Sequence, residues 1–264
     1  MARIALCQVN SGDEPEANLK LVRTGVEAAA AEGARIVVFP EATMARFGRP
    51  LEPVAEPLDG PWASAVAAVA AEHDVVVVAG MFTPADAGRV HNTLLITGGG
   101  HHRGYDKIHL YDAFGFAESD TVAPGATPTT FELDDVVYAV ATCYDVRFPE
   151  LFRALADDGA DVVLLPTSWG AGEGKRDQWE VLVRARALDS GCWVLGCGQA
   201  DPSATGTTVN PKAPTGIGYS TAADGFGRVV AQAGAAPEML LVDVDPAVSA
   251  RARTATGALA NRRL

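Results

Sequence analysis

The chain has 264 residues, 48% hydrophobic and 20% charged, enough for a large core and unlike a disordered or low-complexity protein. Its formal net charge of −12 argues against nucleic acid or an anionic membrane as partner, because both require a basic face. No apolar run approaches the length needed to span a bilayer.

Met1 leads almost directly into the strand-like "RIALCQV", without the charged and long apolar regions of a secretory signal, so the cytoplasm is the expected location. Apolar runs bounded by Gly, Pro and Asp then alternate with Ala-rich helical segments. In chain order the patterning predicts a strand at Arg3–Val9, a helix at Pro15–Ala31, a strand at Arg35–Phe39, a helix at Pro61–Glu72, and strands at Val75–Met81 and Asn92–Thr97. Further on it predicts a strand at Val136–Ala141, a helix at Phe148–Asp157, a strand at Val162–Leu165, a helix at Arg176–Asp189, and strands at Cys192–Cys197 and Met239–Val244. The stretch "VHNTLLITGGGHHRGYDKIHL" reads as a hairpin, as does "GYSTAADGFGRVVAQAG" with Asp224-Gly225 at its turn. The pattern is α/β, with mixed sheets covered by helices.

Two segments echo each other. "AEGARIVVFPEAT" and "DDGADVVLLPTSW" share a helix end, Gly-Ala, a charged residue, four apolar positions, a Pro and polar residues, as two similarly built halves packed together would. With no long linker or charge block, residues 1–264 read as one domain, with a polar C-terminal extension from about Ala247 that packs on another surface or frays. Cys192 and Cys197 are an odd number of residues apart, so they face opposite sides of one strand and cannot pair; reduced thiols fit the same compartment.

Reactive groups in α/β folds gather where strands end. Cys143 ends the apolar run "VVYAVAT" just before a helical pattern, and no histidine lies nearby to activate it. Glu41 follows "ARIVVFP" and Lys107 follows "HHRGYD", so a nucleophile, a base and a cation stand at three such ends. A free thiol titrates near about pH 8.5 and is mostly protonated at neutrality. The Lys107 ammonium favours the thiolate and stabilises the oxyanion of a tetrahedral intermediate. Glu41 accepts the thiol proton and returns it to a departing amine, provided burial or a second carboxylate lifts its pKa; Glu118 supplies that carboxylate.

The motifs "FPE" at Phe39–Glu41, "DKIHLYD" around Lys107, "ES" at Glu118–Ser119 followed by "APG", and "CYDVRFPELFR" from Cys143 jointly resemble the nitrilase (carbon–nitrogen hydrolase) superfamily. They look most like its Nit-type amidase branch, which includes omega-amidase and deaminated glutathione amidase. The resemblance runs from "RIALCQV" to about Ala247. It implies a four-layer αββα sandwich with two mixed β-sheets, assembled as a homodimer or higher homo-oligomer. It also implies a triad of Glu41 as general base, Lys107 as oxyanion and thiolate stabiliser, and Cys143 as nucleophile. Glu118 is the supporting carboxylate, and the backbone N–H of Tyr144 completes the oxyanion site with Lys107. The implied activity is hydrolysis of a small linear amide to carboxylate and ammonia through a cysteine thioester, with no metal or organic cofactor. The same residues also serve an N-carbamoyl-amine hydrolase or a nitrilase, and a non-catalytic scaffold of the same fold is the alternative from another class.

Two departures bear on substrate: the Lys107–Glu118 segment is compact, and "GYS" at Gly218–Ser220 stands where Nit-type members often carry "GHS". "WGAGEGKR" resembles a phosphate loop superficially, but Trp169 stands where the Walker pattern needs Gly and Arg176 where it needs Ser or Thr. It reads instead as an active-site loop in which Trp169 walls the pocket, while Lys175 and Arg176 either form a solvated basic turn or meet a substrate carboxylate. Phe114 and Phe116 precede Glu118 and are further candidates for substrate contact. Adjacent His101 and His102 lack the spacing of a chelate and read as a solvated hairpin. Arg147 and Glu150 are spaced to pair and brace the turn after Cys143.

Overall fold

The computed structural model describes residues 1–210 and 213–263. The first half of the chain runs β1 (Ala2–Gln8), α1 (Pro15–Ala31), β2 (Ile36–Val38), α2 (Pro61–Glu72), β3 (Val76–Pro84), β4 (Val90–Gly98) and β5 (His101–Asp106). A small hairpin, β6 (Asp112–Ala113) and β7 (Phe116–Ala117), leads to β8 (Thr129–Leu133) and β9 (Val136–Val140). The second half continues with α3 (Pro149–Asp157), β10 (Val162–Thr167), α4 (Lys175–Ser190), β11 (Trp193–Gly198), β12 (Thr221–Ala223), β13 (Val229–Gln232), β14 (Glu238–Val244) and α5 (Ala247–Thr256). Proline occupies the first turn of α1, α2 and α3, where its missing N–H costs nothing, and Gly191 ends α4 in the left-handed conformation.

The strands form two six-stranded sheets, ordered β14-β1-β2-β3-β4-β5 and β13-β12-β11-β10-β9-β8. Each has a parallel centre, β1-β2-β3 in one and β9-β10-β11 in the other, flanked by antiparallel strands. Ile4, Leu6, Val38, Val78 and Leu94 of the first sheet meet Tyr138, Val140, Leu164 and Leu195 of the second in a dry layer between them. On the outer face of the first sheet, Val22 and Val26 of α1 and Trp62, Val66 and Val69 of α2 cover Val37 and Val77. Phe152 and Leu155 of α3 and Trp179 and Val183 of α4 cover Val163 and Val194 of the second. The result is the expected α-β-β-α order of layers.

The parallel strands carry apolar residues on both faces, which is why they read as continuous runs rather than alternating ones. β8 was not anticipated, because "TTFEL" is short and its pairing with β9 comes from the sheet rather than from its own pattern. The late hairpin forms, but Asp224 accepts from the amides of both Phe226 and Arg228, so the turn is longer than an Asp-Gly pair. Of the two expected fates of the C-terminal extension, packing or fraying, residues 247–256 take the first. They form α5, docked on their own chain, with Ser249 and Ala252 buried and Arg253 reaching the carbonyls of Ala160 and Ser190. All four cysteines are free and buried; Cys192 lies under the helices and Cys197 between the sheets, on opposite faces.

Candidate active site

Glu41 follows β2 on a loop that folds back over β3. The Gly80 amide donates to the Pro40 carbonyl at 3.1 Å, and the Gly80 carbonyl accepts from Met44 at 2.8 Å. Gly80 permits this approach: a Cβ there would run into the Ala42 amide and come within 2.8 Å of Glu41 Cα. Ala42 is held at φ 58°, and Gln199 donates to the Glu41 carbonyl at 3.0 Å. Cys143 opens a 3-10 turn, Cys143–Arg147, at the end of β9, itself at φ 45°. Two non-glycine residues in the left-handed region, each costing on the order of 1–3 kcal/mol, therefore border the same site. The Cys143 turn is pinned by buried Asp145, which accepts from Thr142 N (2.8 Å), the Tyr105 hydroxyl (2.7 Å), and His109 N (3.0 Å) and Nδ1 (2.7 Å). His109 lies two residues past Lys107, so this carboxylate ties the Cys143 turn to the Lys107 segment.

The structure brings Glu41, Lys107, Glu118 and Cys143 together in one pocket, with side chains only 1%, 2%, 3% and 7% exposed. Lys107 Nζ lies 3.0 Å from Glu41 Oε1 and 2.8 Å from Glu118 Oε2. Glu118 Oε2 also accepts the Tyr111 amide at 2.7 Å, and Glu41 Oε2 accepts the Ser168 amide at 2.8 Å. Burial pushes Glu41 above the ordinary carboxylate range, aided by the charge of Glu118 and opposed by Lys107. Burial alone would lower Lys107, but Glu118 and Glu41 outweigh it and hold the ammonium well above its usual value. Cys143 is pushed well up, first by burial and then by the negative charge of Glu41, against the pull of Lys107. Lys107 acts in the expected direction but is outweighed by burial and by Glu41.

Of the other residues singled out, Tyr144, Trp169 and Lys175 line the pocket, as does Phe116. Phe114, 70% exposed at the tip of the β6–β7 hairpin, edges its outer mouth, with Lys175 Nζ 3.5 Å above its ring. Arg176 is turned away: it pairs with Glu180 at 2.8 Å and lies over the Tyr219 ring at 3.8 Å. Arg147 is not a brace for Glu150; it donates to Gln178 at 2.7 Å and lines the pocket with its guanidinium 5.2 Å over Trp169. His101 and His102 stand on the surface of the β4–β5 hairpin, each bonded to a carbonyl, of Glu132 and Leu58, at 2.8 Å. In "GYS", Ser220 bonds Gln8 at 2.8 Å and Tyr219 accepts from Trp179 at 2.8 Å, which braces the fold behind the site.

Pattern reading missed Asn92. From β4 it donates to Glu41 Oε1 at 2.8 Å and Glu118 Oε1 at 3.0 Å, and its one visible signal is an Asn inside an apolar strand, where Asn is disfavoured. The Ser168 amide, from the end of β10, carried no side-chain signal at all.

A buried acid–ammonium–acid cluster beside a strand-end thiol, on a two-sheet sandwich, defines a class of hydrolase rather than a binding module. The family comparison agrees: residues 3–254 match the carbon-nitrogen hydrolase model, and the chain belongs to that family. A Mycobacterium tuberculosis protein named simply as a hydrolase is 50% identical, over 98% of this chain and 95% of that one. The omega-amidase of Mus musculus is 30% identical over 92% of this chain and 88% of its own length. Among solved structures, Nit3 of Saccharomyces cerevisiae, a member of branch 10 of the nitrilase superfamily, superposes with a TM-score of 0.85 at 26% identity, covering 100% of this chain and 97% of that one.

Proposed function

We propose that the chain is an amidase that hydrolyses a small linear amide bearing a carboxylate at its far end. The observation that carries this reading is the Cys143 thiol set against Glu41, Lys107 and Glu118 at the base of a pocket whose mouth is cationic. Glu41 takes the thiol proton as Sγ attacks the carboxamide carbon, and the oxyanion forms against Lys107 and the Tyr144 amide. The proton returns from Glu41 to the nitrogen, ammonia leaves, and a thioester remains. Glu41 then deprotonates a water that attacks the thioester; the carboxylate departs and the thiol recovers its proton. The upward push of burial and Glu41 on the Cys143 thiol favours proton transfer in the attack itself.

The far-end carboxylate is favoured by Arg147 and Lys175. Among the described residues no acid pairs with either: Arg147 leaves its buried Nε without a partner, and Lys175 Nζ meets the Tyr111 hydroxyl at 3.4 Å and the face of Phe114 at 3.5 Å. Burial and the charge of Arg147 together lower Lys175, a repulsion that a bound anion relieves. Relatives named omega-amidase and deaminated glutathione amidase fit the same substrate class. The test is ammonia release from a panel of omega-amides of dicarboxylates, neutral amides, N-carbamoyl amines and nitriles. The omega-amides should lead; preference for carbamoyl compounds or nitriles would reassign the reaction, and turnover of none, with Cys143 no more reactive than Cys7, would favour a scaffold.

A further inference from the structure

Glu41 and Glu118 come from distant elements, yet one neutral side chain joins them. Asn92, fully buried in β4, directs its two amide hydrogens to Oε1 of each carboxylate. Its own Oδ1 is buried with no partner, and turning the amide over would set that oxygen against two carboxylate oxygens, so the orientation is fixed. Glu41 Oε1 also receives Lys107 Nζ, which fills both of its lone pairs. Oε2 accepts the Ser168 amide and has room for one further donor, and the Cys143 thiol is within hydrogen-bonding reach of this carboxylate. The Ser168 carbonyl lies 3.8 Å from Cys143 Sγ, so the residue whose amide binds Oε2 also faces the sulfur.

From this arrangement we infer that Asn92 is a positioning residue for the reaction: by occupying Oε1 it directs the thiol proton to Glu41 Oε2 and keeps Glu41 a proton acceptor. The inference rests on Glu41 as base. When the S–H bond breaks, its electron pair stays on sulfur and the proton binds the one open lone pair of the carboxylate. A cation at position 92 would hold Glu41 too firmly ionised to take that proton, and an apolar residue would leave two buried like charges joined only through Lys107. A neutral double donor avoids both. The charged or titratable groups facing this cluster are Lys107, Glu118 and Cys143, with Tyr111 beside Glu118 and Arg147 and Lys175 at the mouth. Asn92 is one of the groups that hold Glu41 down against burial.

The experiment is iodoacetamide labelling of Cys143 as a function of pH, read by mass spectrometry of its peptide, in the wild type, Asn92→Leu, Asn92→Asp and Glu41→Gln. This probe is independent of the natural substrate. Wild-type labelling should rise on an acid limb set by Glu41. Both Asn92 variants should move that limb up by about one pH unit or more, hence roughly tenfold slower labelling on the limb, with rates converging above it. Asn92→Asp keeps the size of the side chain, so it answers the question even if Asn92→Leu does not fold. Uniform slowing at every pH, or an unmoved limb in the folded variants while Glu41→Gln abolishes it, overturns the role of Asn92 alone. Persistence of the limb in Glu41→Gln overturns Glu41 as base, and the inference with it.

Discussion

The two halves of the chain share one frame and use it differently. β1-α1-β2-α2-β3-β4-β5 and β9-α3-β10-α4-β11-β12-β13 follow the same course of parallel and antiparallel pairings, with β14 and β8 as matching outer strands. The sequence echo falls on equivalent strands, β2 and β10. After β2 the chain places a buried acid; just after β10 it places Ser168, whose amide donates to that acid. The nucleophile stands at the end of β9, and the matching end of β1 carries no reactive side chain. Acid, amide bridge and ammonium thus come from the first sheet, and sulfur and backbone donors from the second. The reacting atoms meet only when both sheets are in place, so chemistry is tied to the packing of the apolar layer between them.

The division can be broken at either end. Cys143→Ala should lower ammonia release by at least about 10⁴-fold and Glu41→Gln by about 10²–10⁴-fold, with far-ultraviolet circular dichroism unchanged. If the two act as a unit, the double variant should be no slower than Cys143→Ala, whereas multiplying losses would show two independent contributions. Burial raises Glu41, and the base must be ionised. Activity should therefore fall as pH drops through a value above the ordinary glutamate value of about 4.3. An acid limb at or below that value would mean that solvent, not the sealed cluster, sets the proton affinity of Glu41.

A smaller effect should come from moving the acid without changing it. Gly80→Ala drives a methyl into the Glu41–Ala42 backbone, while Cys143, on the other sheet, keeps its surroundings. Turnover should fall about 10²-fold, and stability to urea by about 1–3 kcal/mol. Full activity in that variant would show that the loop after β2 tolerates displacement.

How much of this was legible follows the same division. The ends of β2 and β9 were readable because continuous apolar runs stop at polar residues, and the four motifs placed Glu41, Lys107, Glu118 and Cys143. Asn92 was not readable, because its role consists of contacts with residues 51 and 26 positions away, which exist only after β4 lies beside both loops. Arg147 was misread for a related reason: its spacing to Glu150 suggested a local pair, but Gln178 of α4 lies closer in space. α5 escaped because its polar face dominates the composition, while its attachment rests on Ser249, Ala252 and Arg253.

At the mouth, the comparison can be sharpened by charge. Arg147 and Lys175 both come from the second half, so that half should read the far end of the substrate while the first performs acid–base work. Arg147→Gln and Lys175→Gln should each raise KM for a carboxylate-bearing amide about tenfold with kcat nearly unchanged, and leave a neutral amide unaffected. An equal loss on the neutral amide would assign them to shaping the pocket instead.

The smallest effect tests whether the second half stands without its clamp. Arg253 of α5 reaches the carbonyls of Ala160 and Ser190 and lies 3.7 Å from Asp161, around the starts of β10 and β11. Those starts lie at the opposite ends of the strands from the pocket. Arg253→Ala strips donors from partly buried carbonyls, so it should cost about 1–2 kcal/mol in a urea titration. It should leave kcat and KM unchanged, because β10 still delivers the Ser168 amide to Glu41 from its far end. A fall in kcat that tracks the lost stability would show instead that strain at the strand starts travels along β10 to the acid.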